Sequence, residues 1–198
     1  MRILIIGATG KIGQVAAARL EARDHDIIRA SRTSDPAVDI GDTDSIRELF
    51  DHVGDIDAVV VASGAVPFKP LTELTQEDYL TALTSKTLAQ INVAHHALNY
   101  LPERGSVTLT SGVIGREPIE TATAAAAANG AIESFVTNAA AEAPRGIRIN
   151  AVSPNVLANS EHYHGLFPGQ RPVTDDEVGT AYVLAVEGIV NGRTIIVE

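Results

Sequence analysis

The sequence predicts an α/β fold with a mainly parallel sheet of about seven strands and helices on both faces. Aliphatic strand-like segments alternate with helical segments along all 198 residues, which is the pattern of a parallel sheet with both faces covered. In addition, a glycine-rich turn joins the first strand to the first helix. The chain shows no internal repeat and no interdomain linker. We therefore expect one doubly wound Rossmann domain over residues 1–198.

Each strand is predicted from a short run rich in aliphatic and β-branched residues. These runs are Arg2–Ile6, His25–Ala30, the very short Val38–Ile40, Ala58–Ala62, Ser106–Thr110, Ile147–Val152 and Thr194–Val197. Helices are predicted from apolar periodicity and from their start and stop residues. They are the segment from the glycine-rich turn to about Ala22, Thr43–Val53, Thr75–Leu101, Thr121–Ala143 and Thr174–Glu187. Pro102 and Pro144 end the two long helices.

Composition and charge exclude several classes of function. The net charge of −10 disfavours nucleic acids and anionic membranes, which select basic surfaces. Without Cys there is no disulfide, thiolate zinc site or Cys nucleophile, and His95 and His96 lack a third ligand at helical spacing, so we predict no metal site. No apolar run is long enough to cross a bilayer, and the N-terminus is typical of a strand rather than a signal peptide. We expect a cytoplasmic protein.

The glycine-rich turn, Gly7-Ala8-Thr9-Gly10-Lys11-Ile12-Gly13, is the most specific motif in the chain. Such a turn lets the backbone approach a pyrophosphate closely, and the N-terminus of the following helix offers free N–H groups and a favourable dipole. The alternative is a structural turn without a ligand. We predict that the turn binds a dinucleotide through Gly7, Thr9, Gly10, Lys11, Ile12 and Gly13.

The end of the second predicted strand distinguishes NAD from NADP. NAD sites usually place an acidic side chain there to hold the ribose hydroxyls. This chain has Ser31-Arg32-Thr33 instead, and a guanidinium between two hydroxyls suits a 2′-phosphate. The alternative is that Arg32 is an ordinary surface residue. We predict NADP(H) as the cofactor, with Ser31, Arg32 and Thr33 among its contacts.

Taken together, these residues resemble a compact member of the short-chain dehydrogenase/reductase family over essentially the whole chain. The resemblance rests on the Gly-x-x-Gly-x-x-Gly turn, on Thr110-Ser111-Gly112 after a central strand, and on Arg148–Pro154, which Asn155 follows in place of the family's Gly. It implies that Asp39 and Ile40 hold the adenine. It also implies further cofactor contacts from Ala62, Ser63, Gly64, Pro154, Asn155 and Val156.

The Tyr-x-x-x-Lys pair that defines the family's chemistry is missing. Alignment places Ala125 and Asn129 at its positions, or Ala124 and Ala128 one residue earlier, on the predicted helix Thr121–Ala143. On the preceding long helix, Lys86 stands where the family keeps an active-site Asn. There it could bind the cofactor and supply the missing positive charge or a proton. The alternative is an exposed, solvated lysine.

Three further residues are candidates for catalysis. Ser111 stands where the family keeps its catalytic Ser. His162 and Tyr163, next to His164, lie in a long segment at about 153–173 that the resemblance identifies as a loop covering the nicotinamide. Either ring type could donate a proton near neutral pH. Surface solvation is the alternative for each of them.

These residues lead to three hypotheses of function. The first is an NADPH-dependent oxidoreductase that reduces a small to medium carbonyl substrate with a non-standard proton donor. The second is a non-catalytic NADP(H)-binding sensor or regulator, which the loss of both family residues favours. The third is a reductase of imines or activated alkenes, for which an Ala at the Tyr position would leave room. In each case we expect a homodimer or homotetramer formed through the two long helices, which are rich in small residues.

Overall fold

Six strands form one sheet in the computed structural model, which describes all 198 residues. They are β1 (Arg2–Ile6), β2 (Asp26–Ala30), β3 (Ala58–Val61), β4 (Ser106–Thr110), β5 (Arg148–Pro154) and β6 (Thr194–Val197). Their spatial order is β2-β1-β3-β4-β5-β6, and every neighbouring pair is parallel. The chain winds outward from β1 in one direction and then, from β3, in the other. This confirms the doubly wound α/β fold.

Seven helices connect and cover the strands. They are α1 (Lys11–Glu21), α2 (Thr43–Val53), α3 (Gln76–Ala82), α4 (Ala89–Ala97), α5 (Thr123–Glu142), the short α6 (Glu161–His164) and α7 (Asp175–Glu187). A π-helical segment, Leu83–Leu88, joins α3 to α4. None of these helices combines the length and apolarity needed to cross a membrane.

The sheet separates two hydrophobic cores. Helices α2, α4 and α5 cover one face, and α1 and α7 cover the other. Strand β1 contributes side chains to both cores. Leu4 and Ile6 belong to the first core, whereas Ile3 and Ile5 belong to the second. Alternate side chains of a strand point to opposite faces, so a strand buried on both sides must be apolar throughout.

The predicted strand Val38–Ile40 is wrong, and the sheet has six strands rather than seven. Only Ser31 and Ala37 form an isolated parallel bridge beside β2. Pro36 has no N–H to donate to a ladder, and the chain turns again at Gly41 before α2. Val38 and Ile40 are nevertheless buried in the core that α2 covers. Their burial explains why the segment has the composition of a strand.

The other predicted elements exist, with two differences. The long helix predicted over Thr75–Leu101 is interrupted by the π-helical segment, which shifts the register of the side chains that follow it. In the structure, the first two residues of the loop predicted at about 153–173 belong to β5, and the rest of the segment contains the short helix α6. Its remaining residues rejoin the fold through a bridge between Leu157 and Val173.

Gln90 of α4 ties together the ends of two central strands. Its side chain is fully buried, and its amide donates to the carbonyl oxygens of Ser63 and Thr110, both at 3.0 Å. Its amide oxygen accepts from the N–H of Thr110 at 2.9 Å. One side chain therefore satisfies three backbone groups where the chain leaves β3 and β4.

We expect Gln90→Leu to destabilise the protein by about 3 kcal/mol, because buried backbone groups left without partners cost about 1–3 kcal/mol each. Urea unfolding followed by circular dichroism measures this loss. Gln76→Leu is the matched control, because Gln76 is exposed at the start of α3. Equal stability of the two variants would show that Gln90 does not hold the strand ends.

Candidate active site

A cavity of about 450 Å³ opens at the carboxyl ends of β1, β2 and β3. It is lined mainly by residues that the sequence predicted as cofactor contacts: Gly7, Thr9, Gly10, Ser31, Arg32, Thr33, Asp39, Ile40, Ala62, Ser63 and Gly64. The lining also includes residues that were not predicted: Ile6, Val38, Gly41, Ala65 and Ser85. The other predicted contacts lie outside the lining: Lys11, Ile12, Gly13, Lys86, Pro154, Asn155 and Val156.

The glycine-rich turn is held against the end of β3. Gly7 has φ +84°, and a Cβ at this position would lie 2.5 Å from the carbonyl oxygen of Ala62, so only glycine fits. Helix α1 then begins without a side-chain cap and without an acidic residue in its first turn. The N–H groups of Lys11, Ile12 and Gly13 have no hydrogen-bond partner in the chain. These groups fit a pyrophosphate.

At the opposite end of the cavity lies Arg32, whose guanidinium has no partner in the chain. The Arg32 side chain is exposed and takes part in no hydrogen bond or ion pair. Beside it, the Ser31 hydroxyl accepts from the N–H of Thr33 at 3.2 Å and contacts the Ser34 hydroxyl at 3.1 Å. A free guanidinium next to three hydroxyls fits a 2′-phosphate.

Lys86 lies in the π-helical segment, and its side chain crosses Gly64. A Cβ at Gly64, where φ is +144°, would lie 2.6 Å from Cγ of Lys86. The side chain is half-buried, and its ammonium donates a long hydrogen bond of 3.5 Å to the carbonyl oxygen of Ser111. Burial lowers the pKa of Lys86 to about 8, and the negative charge of Glu133 opposes this shift. Lys86 is therefore not a fully solvated lysine, and its role in binding or catalysis stays a prediction.

Ser111 follows β4 and is almost completely buried. Its hydroxyl donates to Oε1 of Glu133 at 2.5 Å, accepts from the N–H of Gly112 at 2.5 Å and lies 3.1 Å from the hydroxyl of Ser153. Arg116 forms an ion pair with the same oxygen of Glu133 and donates to the Ser153 hydroxyl at 3.0 Å. Ser111 is thus part of a compact polar cluster at the carboxyl ends of β4 and β5.

Glu133 and Arg116 were not identified from the sequence. One signal was present, because Glu133 lies four residues after Asn129 and so shares a helix face with the position of the missing family Lys. No spacing rule points to Arg116. It approaches Glu133 only because a 3₁₀ turn, Val113–Gly115, folds the chain back over α5.

The site has no open space where the family's Tyr would stand. Ala124, Ala125 and Ala128 are fully buried. Ala124 and Ala128 pack with Ala82 and with the partly buried residues Val66, Leu74 and Tyr79. The room that the sequence led us to expect at this position is therefore filled by protein. Asn129 is buried as well, and its side-chain oxygen has no hydrogen-bond partner.

The segment after β5 contacts the glycine-rich turn but not the Ser111 cluster. Lys11 donates to the carbonyl oxygen of Asn159 and to the hydroxyl of Ser160, both at 3.0 Å. On α6, the rings of His162 and Tyr163 pack on each other with centroids 4.0 Å apart, and both are exposed. Neither side chain hydrogen-bonds to Ser111 or Lys86. Their catalytic role stays a prediction.

Comparison with known proteins identifies the class. A family model described as enoyl-(acyl carrier protein) reductase matches residues 12–197. The chain belongs to the short-chain dehydrogenase/reductase family.

Individual relatives extend this comparison. Over 134 residues the chain is 34% identical to a hydroxynaphthalene reductase-like protein of Metarhizium acridum. The match covers 64% of this chain and 49% of that relative. The chain spans about half the length of the curated relatives it matches.

Solved structures also match the whole chain. The protein lin1944 from Listeria innocua has 42% identity and a TM-score of 0.97, with both chains covered completely. A small-chain dehydrogenase in complex with NADPH has 26% identity and a TM-score of 0.88, with 100% of this chain and 96% of the other covered.

Proposed function

We propose that the chain is an NADP(H)-dependent oxidoreductase that reduces a small to medium carbonyl compound, with Lys86 as the proton donor. The observation that carries this proposal is the half-buried side chain of Lys86, which packs against Gly64 of the cavity lining and donates to the carbonyl oxygen of Ser111. The similar structure that contains NADPH and the reductases among the relatives support the class of reaction.

The residues in and around the cavity would bind the cofactor. The free N–H groups at the start of α1 would hold the pyrophosphate, and Arg32 with its neighbouring hydroxyls would hold the 2′-phosphate. Asp39 is fixed for a contact with the adenosine portion, because its carboxylate accepts from the N–H of Gly41 at 2.9 Å.

The residues next to the cavity provide the chemistry. Bound NADPH supplies the hydride for a carbonyl reduction. Lys86 donates a proton from Nζ to the carbonyl oxygen, and a pKa near 8 places this group close to the range in which a general acid works best at neutral pH. The Ser111 hydroxyl, whose proton is donated to Glu133, contacts the same oxygen as an acceptor from the alcohol. The segment with His162 and Tyr163, which hydrogen-bonds to Lys11 of the glycine-rich turn, would cover the bound cofactor from that side.

Two other functions have specific support. A non-catalytic NADP(H)-binding protein is favoured by the Ser111 hydroxyl, which is already bonded to Glu133. A reductase of activated alkenes is favoured by the description of the matching family model. The filled space at Ala125 removes the structural argument for the latter. NADPH oxidation across a panel of carbonyls, imines and enones separates the three functions.

The cofactor preference depends on Arg32. We expect NADPH to bind at least about tenfold more tightly than NADH, which corresponds to roughly 1.4 kcal/mol for one charge-assisted contact. Arg32→Ala should abolish this difference while leaving NADH affinity unchanged. Fluorescence titration measures both affinities, and Arg47→Ala is the control because Arg47 lies on α2 outside the cavity lining. Equal affinities in the unmodified protein would contradict the assignment.

The reaction depends on Lys86 and Ser111. We expect Lys86→Met and Ser111→Ala each to lower kcat at least about tenfold while NADPH still binds. Because Lys86 must be protonated to act, the rate should be highest below about pH 8 and fall above it, and this fall should be lost in Lys86→Met. Lys69→Met is the control, since Lys69 pairs with Asp78 at the surface. Unchanged turnover in both site variants would contradict this proposal.

The expected assembly would use the partly exposed faces of α4 and α5. Between them lies a groove of about 400 Å³ that is lined mainly by apolar side chains, among them Ile91, Leu98 and Phe135. We expect a homodimer or homotetramer through this face, seen by light scattering at micromolar concentration as a mass at least twice 20.8 kDa. Ile91→Glu should give monomers, whereas Ile189→Glu at the end of α7 should not. A monomeric unmodified protein would refute this assembly.

A further inference from the structure

One carboxylate oxygen collects most of the polar contacts at the candidate active site. Oε1 of Glu133 accepts from the Ser111 hydroxyl at 2.5 Å and from the Ser153 hydroxyl at 3.2 Å, and it forms an ion pair with Arg116. The Glu133 side chain is only 16% exposed. A carboxylate that is largely buried stays ionised at low cost only when it is paired with a cation and hydrogen-bonded, as Glu133 is here.

Glu133 and its three partners come from separate parts of the fold. Ser111 follows β4, Ser153 lies within β5, Arg116 follows the 3₁₀ turn and Glu133 lies on α5. Glu133 therefore joins the ends of two neighbouring strands to the helix on which the family's pair is missing.

The same carboxylate also acts on Lys86. Among the charged groups of the elements packed around the π-helical segment, Glu133 is the one that favours the charged form of Lys86, against the effect of burial. Arg116 is the other cation of the cluster, and it faces the same oxygen of Glu133. Lys86 reaches this cluster through Ser111, because its ammonium donates to the carbonyl oxygen of the same residue whose hydroxyl is bonded to Glu133. We therefore expect a change in Glu133 or Arg116 to alter the electrostatic potential at Lys86.

We propose that Glu133, anchored by Arg116, is a positioning residue that fixes the Ser111 hydroxyl and keeps Lys86 protonated. The inference rests on the proposed function, in which Lys86 donates the proton. It assigns a role to Glu133 and Arg116, neither of which occupies a position of the family's Tyr-x-x-x-Lys pair. Glu133 and Arg116 act through Ser111 and Lys86 and need not touch the substrate.

The test measures the titration of Lys86 directly. The chain has three lysines, Lys11, Lys69 and Lys86, so protein grown with [ε-¹³C]lysine gives three signals in a ¹³C-resolved NMR spectrum. Lys86→Met assigns the signal of Lys86. The titration needs no cofactor and no turnover, and Lys11 and Lys69 are internal references.

Electrostatics predicts opposite effects for the two partners. We expect Glu133→Gln to lower the titration midpoint of Lys86 by about one pH unit, because a nearby opposite charge is lost. Arg116→Gln should raise the midpoint, because a competing cation is lost. A merely structural role would move both midpoints in the same direction. Glu142→Gln, an exposed site on the same helix, should leave the midpoint unchanged.

Kinetics separates this inference from the proposed function. The pH above which kcat/KM falls should be lower in Glu133→Gln and higher in Arg116→Gln than in the unmodified protein. Midpoints that stay fixed, or that move in the same direction in both variants, would overturn the role of Glu133. Midpoints that move as expected while the pH above which kcat/KM falls stays the same would instead overturn Lys86 as the proton donor. Should Glu133→Gln not fold, Arg116→Gln still gives the sign of the effect.

Discussion

All six strands are parallel, and this constraint decides where the protein can perform chemistry. The carboxyl ends of parallel strands meet at one edge of the sheet, so the loops that follow them are brought together there. The turn after β1 and the segments after β2 and β3 line the cavity, while Ser111 and Ser153 come from β4 and β5. Residues that are more than a hundred positions apart in the chain therefore form one site.

A few buried polar side chains hold these strand ends in place. Gln90 satisfies the last backbone groups of β4 and the carbonyl of Ser63, two residues beyond β3. The hydroxyl of Tyr182 on α7 lies 2.6 Å from that of Thr110, which in turn donates to the carbonyl oxygen of Val61 at 2.7 Å. Each of these groups would be costly to leave unpaired. The position of Lys86 against Gly64 depends on the same strand ends.

The sequence was sufficient for the fold and for most of the cofactor cavity, since both depend on local patterns. Apolar runs identify strands, and glycines next to a strand and a helix identify the turn. The strand at Val38–Ile40 was wrong because burial and strand pairing favour the same residue types. Glu133 and Arg116 could not be predicted, because their contact depends on a 3₁₀ turn and on the packing of α5 over two strands. Such contacts are tertiary and leave no periodic signal.

The family's Tyr and Lys are lost from α5, but charge is not lost from the site. The positive charge now comes from the π-helical segment and from the loop after β4, and α5 contributes a carboxylate. Since Ala124, Ala125 and Ala128 are fully buried, the place of the missing Tyr is not open to a substrate. In the proposed reaction, the reacting oxygen therefore approaches from the side of Ser111 and Lys86. Any proton transfer at this site then depends on how α5 and the π-helical segment are held together.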